Sequence, residues 1–308
     1  MIYRHRTAAF WPHMAYRILV GSYTDDVYTL DFNPSSKSLK LVAKTRLGTK
    51  PSWITQHPND PTLIFAGLEQ TEGKVVAVKF DNDNGEGRIV GEASSGGADP
   101  CSVLATENEL IVANVSRICF SLSLILTMQP KYASGSLAFI PLLSAMPFEA
   151  PYAVKFGEPV TIQLKYNTEP DSKRNQARQE ASHAHQAILH PTSDDLLVPN
   201  LGADEVCRFQ KTDTGKWESV RSIQYKTGGG PRHVAFYRIF NSTLHLCLAS
   251  LCYFFYRRQA VHPTGADERR HHPQLVVVVQ QFQTCIYHNF NSPRSAPRRH
   301  VCRRDIGV

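Results

Sequence analysis

Four passages of the chain share one layout, and that repetition limits the fold more than any other feature. They are "YRILVGSYTDDVYTLDFNP" (Tyr16–Pro34), "TLIFAGLEQTEGKVVAVKFDNDNG" (Thr62–Gly85), "ELIVAN…YASGSLAFIPL" from Glu109 onward, and "DLLVPNLGADEVCRFQKTDTGKW" (Asp195–Trp217). Each has an apolar run, a small residue, a short polar turn and an alternating apolar strand. Gly, Asn and Asp supply the backbone conformations that tight hairpins need. A further strand opens each unit: "KPSWITQHPNDP", "DPCSVLATENE", "SHAHQAILHPTSDD" and "GPRHVAFY". Pro51 and Pro100 are 49 residues apart, and His185 and His233 are 48 apart. A period of about 40–50 residues built from four short strands is the pattern of a β-propeller blade. The chain is therefore predicted to be all-β, a propeller with about four recognisable blades. No amphipathic helical pattern competes with this reading, and "EPDSKRNQARQEAS" (Glu169–Ser182) is polar all round and reads as a long loop.

Two stretches break the repeat. In the third unit, Val115–Lys131 separates the halves of one hairpin; without it the chain reads "ELIVANYASGSLAFIPLLS". The segment is 17 residues long, so its removal preserves frame. Val-Ser is what a splice donor encodes and a Lys codon can end in AG, so a retained intron fits. The alternative is a genuine loop insertion, or an apolar finger such as "ICFSLSLIL" touching a membrane. The second break follows Tyr237. Residues 1–237 carry equal numbers of basic and acidic side chains, whereas residues 238–308 hold ten Arg, no Lys and three acids, which is the whole formal excess of +7. The basic balance therefore describes a tail and does not signal a nucleic-acid surface. Arg269, Arg270, His271 and His272 cluster there without an aromatic stacking platform. Residues 238–308 are expected to be non-family sequence from an altered frame, residues 14–237 the blades, and residues 1–13 a leader without structure. "QLVVVVQQF" (Gln274–Phe282) can form a strand. The 308-residue chain as written is expected to be inactive and poorly soluble.

The remaining composition excludes little else. No run of about 20 apolar residues suggests a membrane helix, and the basic N-terminus lacks the apolar core of a secretory signal. The seven Cys show neither disulfide-framework nor zinc spacing, so a cytoplasmic location is expected.

"ILVGSYT", "KPSWITQHPNDPTLIFAGLE", "SHAHQAILHPTSDDLLVPNLGADEV" and "GGGPRHVAFY" together resemble the seven-bladed β-propeller lactonase family. That family includes propeller-type 6-phosphogluconolactonases and fungal carboxy-cis,cis-muconate cyclases. The resemblance spans Ala15 to Tyr237 without Val115–Lys131. It implies hydrolysis of a sugar lactone, or lactonisation of a carboxymuconate. A propeller used only for binding is the competing class, since fold alone does not choose. The carboxylate that the cyclase branch places one strand after the Pro-Arg motif has no clear counterpart here.

Alternation on a strand puts His183 and His185 on one side with Ala184 opposite. In a propeller the innermost strands line a central channel, where His185 from one blade and Arg232 or His233 from the next can meet. Histidine suits the general base that activates water, and arginine suits an oxyanion or an anionic substrate group. By the resemblance, His185 and Arg232 are the candidate catalytic residues, and His183, His233 and Trp53 the candidate substrate-binding residues. Each also has a plainer role open to it: bridging blades for the His pair and Arg232, packing for Trp53. Asn200 and Asp204 fit a hairpin turn for backbone reasons alone. "KTGGGP" lacks the strand–loop–helix setting of a phosphate-binding loop. No cofactor is expected, and two His at i, i+2 without a third ligand argue weakly for metal. The expected partner is a small anionic lactone or carboxylate.

Overall fold

The computed structural model describes residues 16–115, 135–145, 153–166, 171–191, 193–239, 242–248 and 277–279. It contains strands and no helix in these residues. The strands are β1 (Tyr16–Val20), β2 (Asp26–Asn33) and β3 (Ser38–Arg46) in the first unit, and β4 (Pro51–His57), β5 (Asp60–Leu68), β6 (Lys74–Phe80) and β7 (Gly87–Ser94) in the second. The third has β8 (Pro100–Ala105), β9 (Glu109–Asn114), β10 (Ser136–Ala145), β11 (Val154–Phe156) and β12 (Val160–Gln163). The fourth has β13 (Ile188–Leu189), β14 (Leu196–Asn200), β15 (Glu205–Lys211) and β16 (Trp217–Gln224), and β17 (His233–Ile239) with β18 (Ser242–Leu248) begins a fifth. Consecutive strands pair as antiparallel meanders, one per unit, as a propeller requires. β19 (Val277–Val279) lies parallel to β1, in the innermost place of the first sheet; the inner strands of the next three sheets are antiparallel to their neighbours.

The apolar runs "LIFAGL", "LIVAN" and "LLVPN" are continuous because each sits in the middle of a blade with both faces covered. Along β5, Leu63 and Phe65 face the third blade, while Ile64, Ala66 and Leu68 face the first. Along β9, Leu110 and Val112 pack toward the second blade, and Ile111 and Ala113 toward the fourth. β14 repeats the rule, with Leu196 and Val198 on one side and Leu197 on the other, against Val206 and Val234. Period-two alternation thus distributes one strand between two cores, and the interfaces between blades are the cores of the protein.

The hairpin β17–β18 runs past the boundary that the repeat placed after Tyr237. Strand pairing does not depend on the change in charge composition that marked that boundary. The leader expected over residues 1–13, the basic cluster Arg269–His272 and all of the inserted segment beyond Val115 lie outside the described residues. The flanks of that segment are informative. Asn114 pairs with Ser136, as Asn200 pairs with Glu205 in the fourth blade. Leaving out residues 115–131 would join Asn114 to Ser136 through Tyr132–Gly135, the same loop length as Leu201–Asp204.

Candidate functional site

The inner strands of the second, third and fifth units enter their sheets through the same local device. Lys50, Asp99 and Gly230 take left-handed φ values of +48°, +50° and +51° directly before Pro51, Pro100 and Pro231. The register then slips by one residue. Between Pro51 and Trp53, Ser52 is extra, and between Pro100 and Ser102, Cys101 is extra. In the fourth blade Ala184 bridges Asn200, yet Ile188 pairs with Leu197, so one residue is again in excess. Such bulges turn a side chain out of the sheet plane. Ser52, Cys101, His185 and Arg232 occupy this equivalent place in successive blades, and all four line one cavity of about 550 Å3. The following residue ties each blade to the next. Trp53 Nε1 donates to Val103 O at 2.9 Å, Ala187 N to Ser102 Oγ at 3.2 Å, and Val234 N to Gln186 Oε1 at 2.7 Å. The structure therefore aligns His185 with Arg232, one place off the His185–His233 spacing seen in the sequence.

All five candidate residues border this cavity. The His185 and His233 rings meet edge to face at 5.1 Å between centroids, and Trp53 stacks on His233 at 6.3 Å. Trp53 thus has both roles that the sequence left open, packing against the core between the second and third blades and lining the cavity. His183 is almost fully buried, with Nε2 3.2 Å from Glu180 Oε1 and its backbone N donating to Asn200 Oδ1 at 3.0 Å. The opening strand expected within Ser182–Asp195 forms only at Ile188–Leu189. Residues 183–185 are nevertheless held extended, because Leu201 N donates to His183 O at 2.9 Å and His185 N donates to Pro199 O at 3.0 Å. Ala184 packs into the core between the third and fourth blades, so the two histidines share the cavity side as alternation predicts.

Burial, and then the Arg232 charge, hold the His185 imidazole well below its ordinary value; the same two causes bring His233 down to about 4. Both rings are neutral at pH 7. His185 Nδ1 is closed off from solvent and has no hydrogen-bond partner among the described residues. Nε2 is therefore the nitrogen open to the cavity. Cys101 Sγ lies 3.4 Å from the carbonyls of Ala184 and His185, and burial pushes its thiol far up, so it acts as a neutral donor rather than a nucleophile. The neutral histidines also set the acid response. Unfolded His233 takes up a proton near pH 6.5 and the folded form only near 4, so stability falls as pH drops between these values, by up to roughly 3 kcal/mol. In Arg232→Ala the His233 titration, followed by NMR, should move upward from about 4 without reaching 6.5, because burial is the larger cause.

Several lining residues were missed in the sequence: Glu69, Asp99, Cys101, Arg178 and Glu180. Glu69 is buried at the end of β5 and accepts from the Ser52 hydroxyl. Aligning the units on their prolines would have exposed Ser52 and Cys101. Arg178 and Glu180 come from the polar loop after Glu169, which carries no repeat signal. That loop is fixed by Gln179, 3% exposed, whose Nε2 donates to Leu201 O at 2.9 Å and to Asp204 Oδ1 at 2.7 Å. Asp204 accepts in addition from Gly228 N at 2.9 Å and Gly230 N at 2.8 Å, and pairs with Arg174 Nε at 3.3 Å. The triple-glycine turn thus wraps a buried carboxylate, and a Cβ at Gly228 would lie 2.1 Å from Lys173 O. Asn200→Ala would leave the buried His183 N–H without its acceptor. It should cost about 1–3 kcal/mol in chemical denaturation.

Inter-blade cores, bulged inner strands and a polar cavity at their entry are the features of a propeller. The chain matches the family described as "Lactonase, 7-bladed beta-propeller" over residues 17–127 and 148–248, and it belongs to that family. The match continues to the end of β18, beyond Tyr237, and enters the inserted segment as far as residue 127. The chain is 24% identical to a 6-phosphogluconolactonase of Bacillus subtilis over 225 residues, covering 71% of this chain and 55% of the relative. It is also 24% identical to a 6-phosphogluconolactonase of Formosa agariphila over 232 residues, covering 72% and 58%. The chain spans about half the length of the curated relatives it matches. Among solved structures, the periplasmic gluconolactonase of Pseudomonas aeruginosa superposes with a TM-score of 0.54 at 21% identity, covering 72% of this chain and 59% of that one. This likeness concerns the fold.

Proposed function

We propose that the protein is a lactonase that hydrolyses a sugar lactone, in the manner of the 6-phosphogluconolactonases it resembles. The observation that carries the reading is the open Nε2 of a neutral His185 beside Arg232, at equivalent places of adjoining blades. His185 takes a proton from water as it attacks the lactone carbonyl, and Arg232 stabilises the oxyanion that develops. The ring C–O bond then breaks, and the alkoxide leaving group recovers the proton from the imidazolium. Negative charge arriving at Arg232 offsets the cation that helps depress His185. The imidazole becomes a better base as the oxyanion forms, which favours the transition state over the bound substrate. His183, His233 and Trp53 bind the substrate around this centre.

We further propose that the mature message lacks the codons for residues 115–131, which the matched four-residue loops of the third and fourth blades support. Sequencing the transcript across codons 114–132 tests this; a mature message that always contains those codons contradicts it. The catalytic reading is tested on the full-length protein translated from the mature transcript. Hydrolysis of 6-phosphogluconolactone above the spontaneous rate supports it. Turnover of carboxymuconate with none of the sugar lactone, or a folded protein with neither activity, contradicts it.

A further inference from the structure

We infer that Arg178 binds a substrate phosphate at the mouth of the channel and gives the site a preference for phosphorylated sugar lactones. This rests on the lactonase reading only for what happens at the other end of the substrate. Among the described residues, Arg178 and Arg232 are the two Lys or Arg side chains that line the cavity, and they lie at different depths. Arg232 is partly buried against His185, His233 and Cys101, all of whose titrations it perturbs. Arg178 is exposed, and its guanidinium has no hydrogen bond or ion pair with a described residue. Its neighbour Glu180 is turned to His183.

The two depths suit two different groups. A phosphate dianion is strongly hydrated, and moving it into a closed site is costly even with one cation beside it. At the mouth it keeps part of its water and gains charge-assisted, bidentate contacts with a guanidinium. A lactone carbonyl is neutral, loses little on entering, and profits from fixed charge in a low-dielectric site. The opposite orientation would bury the dianion beside the Glu69 carboxylate and leave the reacting carbonyl in solvent. The backbone under Arg178 is also set in advance. Arg178 N donates to Asn175 O at 2.9 Å, Gln179 Oε1 accepts from Asn175 N at 3.0 Å, and the Tyr166 hydroxyl donates to Gln179 O. Ordering the loop therefore costs the ligand little, and only the side chain of Arg178 has to settle.

The test compares calorimetric binding of 6-phosphogluconate and gluconate to the full-length protein and to its Arg178→Ala and Arg178→Lys variants, with thermal melts to confirm folding. The unaltered protein should bind the phosphorylated acid about tenfold or more tightly than gluconate. Arg178→Ala should remove most of that preference while leaving gluconate affinity within about twofold, and Arg178→Lys should keep part of it. A preference that persists in Arg178→Ala, an equal loss for both ligands, or no preference in the unaltered protein would overturn the assignment. A protein that shows the Arg178-dependent preference but hydrolyses no lactone refutes the lactonase reading and leaves this inference standing.

Discussion

Replacing His185 with alanine should lower kcat/KM for lactone hydrolysis by about 100- to 10,000-fold, the usual range for a general base. Arg232→Ala should cost about 100- to 1,000-fold, mainly in kcat if it acts on the oxyanion. The two residues occupy equivalent places at the openings of adjoining blades and line the same cavity, so their effects should not add: the double variant should be little worse than the poorer single one. The His185 change removes no hydrogen bond that closes an inner strand, because the His185 bond to Pro199 is made by the backbone. The melting temperature of His185→Ala should therefore move little. Steady-state kinetics on the three variants, with circular dichroism as the folding control, check this. A large loss of stability with a proportionate loss of rate would mean that the residues only bridge blades.

Asp204→Asn should be the most damaging single change to the fold. The residue is 2% exposed at a left-handed φ of +55°, and every partner in reach of its carboxylate is a donor: Gln179, Arg174, Gly228 and Gly230. The amide that replaces one oxygen points hydrogens at a donor and also leaves Arg174 with an uncompensated charge in a site where its side chain is only 10% exposed. Removing one partner of a buried ion pair costs about 3–5 kcal/mol. The loss should reach the chemistry as well, since the glycine turn on this carboxylate leads directly into Pro231 and Arg232. Urea denaturation should show the drop in midpoint, and activity measured at a temperature where the variant is still folded should remain below that of the unaltered protein.

Asp204 also shows where sequence reasoning stopped. A single Asp in "NLGADEV" is indistinguishable from a turn former, and the glycines of "KTGGGP" lie too far along the chain to suggest that they wrap it. The blades were legible because double-sided burial leaves uninterrupted apolar runs at a constant period, as in "LIFAGL" and "LIVAN". His183, His185, Arg232 and His233 were legible because the opening strand of each unit repeats a motif, and the structure brings all four to one cavity. Glu69, Asp99 and Arg178 were not, because each sits where a strand or loop ends and a polar residue needs no special reason. The inner-strand bulges were invisible too, since a one-residue slip of register leaves no mark on composition. The change in charge after Tyr237 is conspicuous, while the hairpin through Leu248 depends only on pairing.

Proton release measured in a pH-stat tests most directly whether the channel is a lactone-hydrolysing site. Full-length protein mixed with freshly prepared 6-phosphogluconolactone at pH 7 should release acid faster than the spontaneous reaction, and His185→Ala should return the rate to the spontaneous one. Acid release at the spontaneous rate from a folded, unaltered protein, or an enzymatic rate that His185→Ala leaves intact, would contradict it.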